Sequence, residues 1–128
     1  VTSQSQVFGK EAEVAAEQYL RQHGYRIVGR NVRFPNGELD IIAKKDGTIV
    51  FIEVKARRIN HFGGASYAVT PHKQQRLINL AAQYLAYHQL SNCPTRFDVM
   101  LYQCDAEQVG HVEHVVNAFE LPGDDLRW

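Results

Sequence analysis

The stretch ELDIIAKKDGTIVFIEVKAR, residues 38–57, decides the fold. Its two runs, Glu38 to Lys44 and Thr48 to Arg57, are rich in Ile and Val and are separated by Asp46-Gly47. That dipeptide tolerates the positive φ which both central positions of a type I′ turn require, so a tight antiparallel hairpin is predicted. A two-residue turn pairs Lys45 with Thr48; counting outward sets Asp40 opposite Glu53 and Glu38 opposite Lys55. Because strand side chains alternate with period two, all four groups are expected on one face. Leu39, Ile41 and Ala43 with Val50, Ile52, Val54 and Ala56 are expected on the other, buried face, where a slip of one residue would turn the apolar set to water.

Working toward the N-terminus, Tyr25 to Phe34 alternates β-branched and aromatic residues loosely with arginines and reads as a strand, with Pro35-Asn36-Gly37 as the turn into the hairpin. Before it, Phe8, Ala12, Ala15, Ala16, Tyr19 and Leu20 recur at helical spacing and Gly24 suits a C-terminal cap, which predicts a helix over about 8–23. Toward the C-terminus, Arg58 to Val69 lacks periodicity and contains Gly63-Gly64, the kind of long connection that often carries function. Thr70 and Pro71 open a second helix that runs to about Gln89 on the spacing Leu77, Ala81, Tyr84, Leu85, His88. Strands are predicted at 97–102 and 111–116, and the polar tail from Pro122 is expected to be loosely ordered. The element order is α-β-β-β-α-β-β.

Two carboxylates placed directly across a ladder repel each other unless something offsets the repulsion, and a cation would do so. Asp40 and Glu53 with one backbone carbonyl, for which Val54 is the candidate, make the small all-oxygen set that Mg²⁺ accepts while keeping much of its hydration. Lys55, one step along the same face, is placed to orient a water and to neutralise a phosphoryl oxygen as charge builds on it. Those two needs are the needs of hydrolytic phosphodiester cleavage. A solvated cross-strand charge pattern with no chemistry is the plainer reading of the same residues.

Asp40 followed after a gap by Glu53-Val54-Lys55 resembles the PD-(D/E)XK signature of restriction-endonuclease-like proteins, among them archaeal Holliday junction resolvases, with Leu39 standing at the proline position. Together with Gly9-Lys10-Glu11-Ala12-Glu13, Ala16, Tyr19, Leu20 and Gly37-Glu38-Leu39-Asp40-Ile41-Ile42, it looks like the YraN-like family of uncharacterised, endonuclease-like bacterial proteins, over roughly residues 9–102. The resemblance implies an α/β fold with a restriction-endonuclease-like αβββαβ core, a mixed central sheet flanked by helices. It implies a Mg²⁺- or Mn²⁺-dependent endonuclease acting on DNA, branched or structured DNA included. By the same similarity Glu13 reaches the metal site from the first helix, Glu38 is a further candidate ligand, and Lys73 and Gln74 meet the site or a phosphate from the start of the second helix. Glu11, Glu13 and Glu17 would also suit the first half of a helix for dipole and solvation reasons alone.

The 128 residues and 45% hydrophobic content suit one domain over 1–128, with its core over about 8–119. Net charge is zero, which disfavours a protein that holds nucleic acid by bulk electrostatics, yet the charge is unevenly spread. Residues 21–60 carry nine Lys/Arg against four acids, so Arg33, Arg57 and Arg58 join Lys73 and Gln74 as candidate contacts to a phosphate backbone. The segment Asn60-His61-Phe62-Gly63-Gly64 is a candidate basic, aromatic-bearing loop beside them. No apolar run approaches the ~20 residues that span a bilayer, so a cytoplasmic protein without membrane contact is expected. Cys93 and Cys104 are expected as reduced thiols. Arg96 and Asp98 are expected to form a structural ion pair, and His111 and His114, three apart on a strand and so on opposite sides of it, to be core-edge or surface histidines rather than ligands. A homodimer would serve an enzyme that cuts two strands; a non-catalytic binding module that keeps the fold is the competing class.

Overall fold

The computed structural model describes residues 3–58 and 69–120. Helix α1 spans Gln4–Gln22 and begins ahead of the predicted residue 8. Ser3 accepts a hydrogen bond from the Gln6 N–H, and the Gln6 side chain accepts one from the Ser3 N–H, a reciprocal cap that satisfies donors a helix start leaves open. Past the helix end Gly24 takes a φ of +86°, which lets the Tyr25 N–H reach back to the Leu20 carbonyl.

Five strands follow in one sheet: β1 Arg26–Phe34, β2 Gly37–Lys45, β3 Thr48–Arg58, β4 Thr95–Cys104 and β5 Gly110–Val115, with helix α2, Pro71–Tyr87, between β3 and β4. The strands lie side by side in chain order. All neighbours are antiparallel except β3 and β4; that parallel step needs a crossover, and its connection contains α2. Thr70 caps α2 by accepting from the Lys73 N–H, with Pro71 in the first turn as predicted. The result is a mixed α/β sheet with the αβββαβ order of a restriction-endonuclease-like core.

The predicted hairpin register holds from Lys45↔Thr48 to Ile41↔Ile52, and Asp46 and Gly47 take φ of 51° and 80° as the turn demands. The expectation of one polar face does not hold. Helix α2 covers one side of the sheet, where Leu77 and Leu80 pack with Ile42, Ile49 and Phe51. Helix α1 covers the other, where Ala16 and Leu20 pack with Ile41, Ala43, Val50 and Ile52. Two helices on two faces explain why both hairpin strands read as nearly continuous apolar runs rather than as alternation. The acids Glu38, Asp40 and Glu53, with Lys55, lie toward the end of the hairpin far from its turn.

One strand away from the hairpin, on β4 and paired with Ile52, Asp98 is 1% exposed. It accepts from Arg96 Nε and Nη2 at 2.8 and 2.9 Å, from the Asn117 N–H at 2.9 Å and, at 2.7 Å, from His114 Nε2; an ionised carboxylate only accepts, so the ring nitrogen is the donor. Arg96 also donates to the Tyr25 hydroxyl at 2.7 Å, which ties β1, β4 and β5 together. Burial pushes the Asp98 carboxyl up, but the hydrogen bonds from His114, Arg96 and Asn117 outweigh it and hold the group below the usual carboxylate range. The expected ion pair is present, and His114 belongs to it. His111 sits exposed on Asp105. Cys93 and Cys104 are unbonded thiols. No described helix is long and apolar enough to cross a membrane.

Candidate functional site

Strands β1 and β2 lose regularity at one level, and the β2–β3 ladder ends there. In β1, Asn31 takes a left-handed φ of 50°, and the β1–β2 register steps from Arg30↔Ile41 to Val32↔Leu39 without Asn31 or Asp40. In β2, Leu39 lies in the core under α2 whereas Ile41, two residues on, lies in the core under α1. A regular strand would put both on one face, so the alternation slips at Asp40. Between β2 and β3 the ladder stops at Ile41↔Ile52. Beyond it the Asp40 side chain takes the place of the backbone, its Oδ2 accepting from the Val54 N–H at 2.9 Å. The carboxylate is thus wedged into the fork where the hairpin strands part.

This geometry corrects the sequence-based expectation of four groups on one face. Asp40 lines a hollow of about 110 Å³ under α1 with Lys10, Glu13, Val14 and Asn31. Glu53 points toward α2 instead, its Oε1 2.7 Å from Lys73 Nζ. The two acids approach the fork from opposite sides of the sheet rather than as a direct cross-strand pair. Leu39 leaves the face assigned to it for the same reason. Glu38 does not meet Lys55: it pairs at 3.0 Å with Arg33, its partner across the β1–β2 ladder. Lys55, two residues beyond Glu53 on β3 and therefore on the same face, is partly buried and has no ion-pair partner among the described residues.

The fork is electrostatically uncomfortable. Burial, followed by the charge of Glu53, pushes the Asp40 carboxyl up from its ordinary 3.8 to about 7; the Val54 N–H opposes this, and Glu13 and Glu38 add to it. A partly buried acid with one donor and three acidic neighbours is short of positive charge. Among the described residues no three His, Cys, Asp or Glu side chains converge as a ready cage for a metal ion. What the fork offers is smaller: Asp40, Glu53 and the Val54 peptide, hard oxygen donors of the type that suit a small divalent cation with retained water.

The remaining sequence candidates are scattered around it. Glu13 faces the Asp40 hollow from α1. Lys73 stands in the first turn of α2 against Glu53. The Gln74 amide donates to the Val69 carbonyl at 2.7 Å. Arg33 is exposed but engaged with Glu38. Arg57 is exposed near the end of β3; the Arg58 side chain and the Asn60 to Gly64 segment lie outside the described residues. Two residues beside Asp40 were missed by sequence reasoning, Lys10 and Asn31. Lys10 sits one helical turn before Glu13, the spacing that shares a face, and Asn is among the few side chains that tolerate a left-handed backbone.

Fold and motif together define a PD-(D/E)XK-like protein, with a restriction-endonuclease-like core and the motif Asp40, Glu53-Val54-Lys55 on its β2–β3 hairpin. The uncharacterised protein family UPF0102 matches over residues 12–102, and the chain belongs to that family. It is 42% identical to a UPF0102 protein of Pelobacter propionicus, over 88% of this chain and 82% of that relative. Identity reaches 49% with a UPF0102 protein of Symbiobacterium thermophilum, over 72% of this chain and 78% of the relative. With a UPF0102 protein of Geobacter sulfurreducens it is 38% over 91% of both.

Proposed function

We propose that this protein is a nuclease that hydrolyses DNA phosphodiester bonds, branched or structured DNA included, and that it depends on Mg²⁺ or Mn²⁺ held by Asp40, Glu53 and the Val54 carbonyl. The observation that carries the reading is the acid-rich fork: a carboxyl pushed up to about 7 by burial and by Glu53, with Glu13 and Glu38 behind it. Such a site costs stability when metal-free and regains it when a divalent cation arrives. Because a strand residue turns its N–H and C=O toward the same neighbour, the carbonyl of Val54 belongs to the side on which its N–H meets Asp40.

A divalent ion held by Asp40, Glu53 and the Val54 carbonyl would supply positive charge for activating a water and for offsetting the negative charge that develops on the phosphoryl oxygens. Lys55, on the Glu53 face and without an ion-pair partner among the described residues, offers its ammonium to a non-bridging phosphoryl oxygen as negative charge develops on it. Glu13 faces the same hollow as Asp40 and would serve as an outer ligand to the ion. Glu38, held by Arg33, acts at longer range by adding negative potential at Asp40. Exposed Arg57 is the contact proposed for the flanking backbone, and a symmetric dimer would present two such sites to two strands.

The test is cleavage of linear, flapped and four-way-junction DNA with Mg²⁺ or Mn²⁺ by wild type and by the Asp40→Ala/Glu53→Ala double variant. Cleavage by wild type that the double variant loses supports the nuclease. Metal-dependent stabilisation and DNA binding without cleavage would replace it by a non-catalytic module that keeps the fold, and identical behaviour of the two proteins would remove the metal site.

A further inference from the structure

Lys73 occupies a position that helix electrostatics disfavour. It lies in the first turn of α2, where the exposed N–H groups carry partial positive charge and a cation is unfavourable. That turn contains no acid to compensate. Its place is nonetheless fixed: Thr70 accepts from the Lys73 N–H and the Gln74 amide grips the Val69 carbonyl, so the first turn is pinned. From there the ammonium reaches 2.7 Å to Glu53 Oε1. The Glu53 side chain is 13% exposed and that of Lys73 32%, so the pair is sheltered more than a surface ion pair and its attraction is correspondingly stronger.

We infer that Lys73 is an internal competitor for the metal site: it neutralises Glu53 in the metal-free protein and must leave that carboxylate before a divalent ion takes it. The inference rests on the proposed metal site and concerns what sets its affinity. An ammonium 2.7 Å from Glu53 Oε1 neutralises the carboxylate and repels a second cation brought to it, so the free energy of the Lys73–Glu53 contact is set against the free energy of metal binding. The helix dipole works against Lys73, which keeps the contact weak enough to be displaced. The displaced ammonium is left on the α2 side of the sheet, the side that also carries Lys55, available to a phosphate.

The experiment is a calorimetric titration of Mn²⁺ into the full chain, with thermal melting of the metal-free protein, for wild type, Lys73→Met, Lys73→Gln, Lys73→Arg, Glu53→Gln and the distant surface control Lys44→Met. Removing the ammonium is expected to tighten Mn²⁺ binding by about tenfold, the worth of one hydrogen bond to a charged group, while lowering the metal-free melting temperature. Lys73→Arg, which keeps the charge, is expected to bind no tighter than wild type. Opposite signs in the two readouts distinguish a competitor from a merely structural pair, whose loss would lower both.

Unchanged or weaker Mn²⁺ binding in both Lys73→Met and Lys73→Gln would overturn the inference and leave the metal site standing, provided that Glu53→Gln still abolishes binding. Equal tightening in Lys44→Met would also overturn it, since the effect would then be bulk charge. Absence of Mn²⁺ binding from wild type and both uncharged variants would remove the metal site itself, and the inference with it.

Discussion

Two aspartates in this molecule, Asp98 buried and Asp40 partly buried, have opposite fates. Asp98 sits among four hydrogen-bond donors, two of them from Arg96, and its carboxyl is held below the usual range despite burial. Asp40 receives one backbone N–H, stands among Glu53, Glu13 and Glu38, and is pushed up to about 7. Burial acts in the same direction on both; the neighbours decide the outcome. Asp98 is satisfied and serves the fold, joining β4 to β5 and, through Arg96 and Tyr25, to β1. Asp40 is left short of positive charge at the level where β1 and β2 lose their regular pattern and the β2–β3 ladder ends. Irregular strands and strained backbone gather at working sites, and an acid made uncomfortable there marks a site to be completed by something from solution.

The comparison breaks most readily at Asp98. Asp98→Ala is expected to destabilise the protein by roughly 3–5 kcal/mol, because Arg96 loses its buried partner, as read from urea denaturation. A loss under about 1 kcal/mol would mean that Asp98 is no keystone.

Asp40→Asn should act in the opposite direction in metal-free protein. A tenfold change in acidity corresponds to about 1.4 kcal/mol, so a rise from 3.8 to about 7 sets a ceiling of about 4 kcal/mol on the gain. Water at the fork screens this, and roughly 1–2 kcal/mol is expected at pH 8. The pH dependence carries the sign. The folded protein holds the Asp40 proton more tightly than the unfolded chain does, so this group's contribution is fully present below pH 3.8 and is lost as pH rises to about 7. The gain from Asp40→Asn should therefore vanish at pH 4. Asp98 has the reverse slope: its contribution is present above 3.8 and is lost as pH falls through its lowered folded value. Urea midpoints of both variants across pH 3–8 would expose parallel slopes if the contrast is mistaken.

A finer test ranks the neighbours. Titration of the Asp40 carboxyl carbon by NMR should move farthest toward ordinary acidity in Glu53→Gln, less in Glu13→Gln and least in Glu38→Gln, following the order of their effects. Glu13→Gln exceeding Glu53→Gln would shift the centre of the site toward α1. The smallest effect is expected at Arg33→Ala: its pair with Glu38 is exposed, and stability should change by no more than about 0.5 kcal/mol in a thermal melt.

The sequence alone determined the hairpin, its Asp46-Gly47 turn and its register as far as Ile41↔Ile52, because turn stereochemistry and apolar patterning are local and act on neighbours in the chain. It determined the helix starting at Thr70-Pro71 and the αβββαβ order on the same grounds, and it marked Asp40, Glu53 and Lys55 as the residues to examine. It could not determine that both hairpin faces would be covered, since that depends on where α1 and α2 settle. Nor could it place the slip at Asp40, which arises where Asn31 of β1 breaks step and the Val54 N–H exchanges a backbone acceptor for a carboxylate. The Glu53–Lys73 and Glu38–Arg33 pairs likewise replaced the pairings that regular alternation implied. Only tertiary structure decided these features, because each is a choice among partners from different elements, and the energies that settle it, burial and charge, depend on distance in space rather than along the chain.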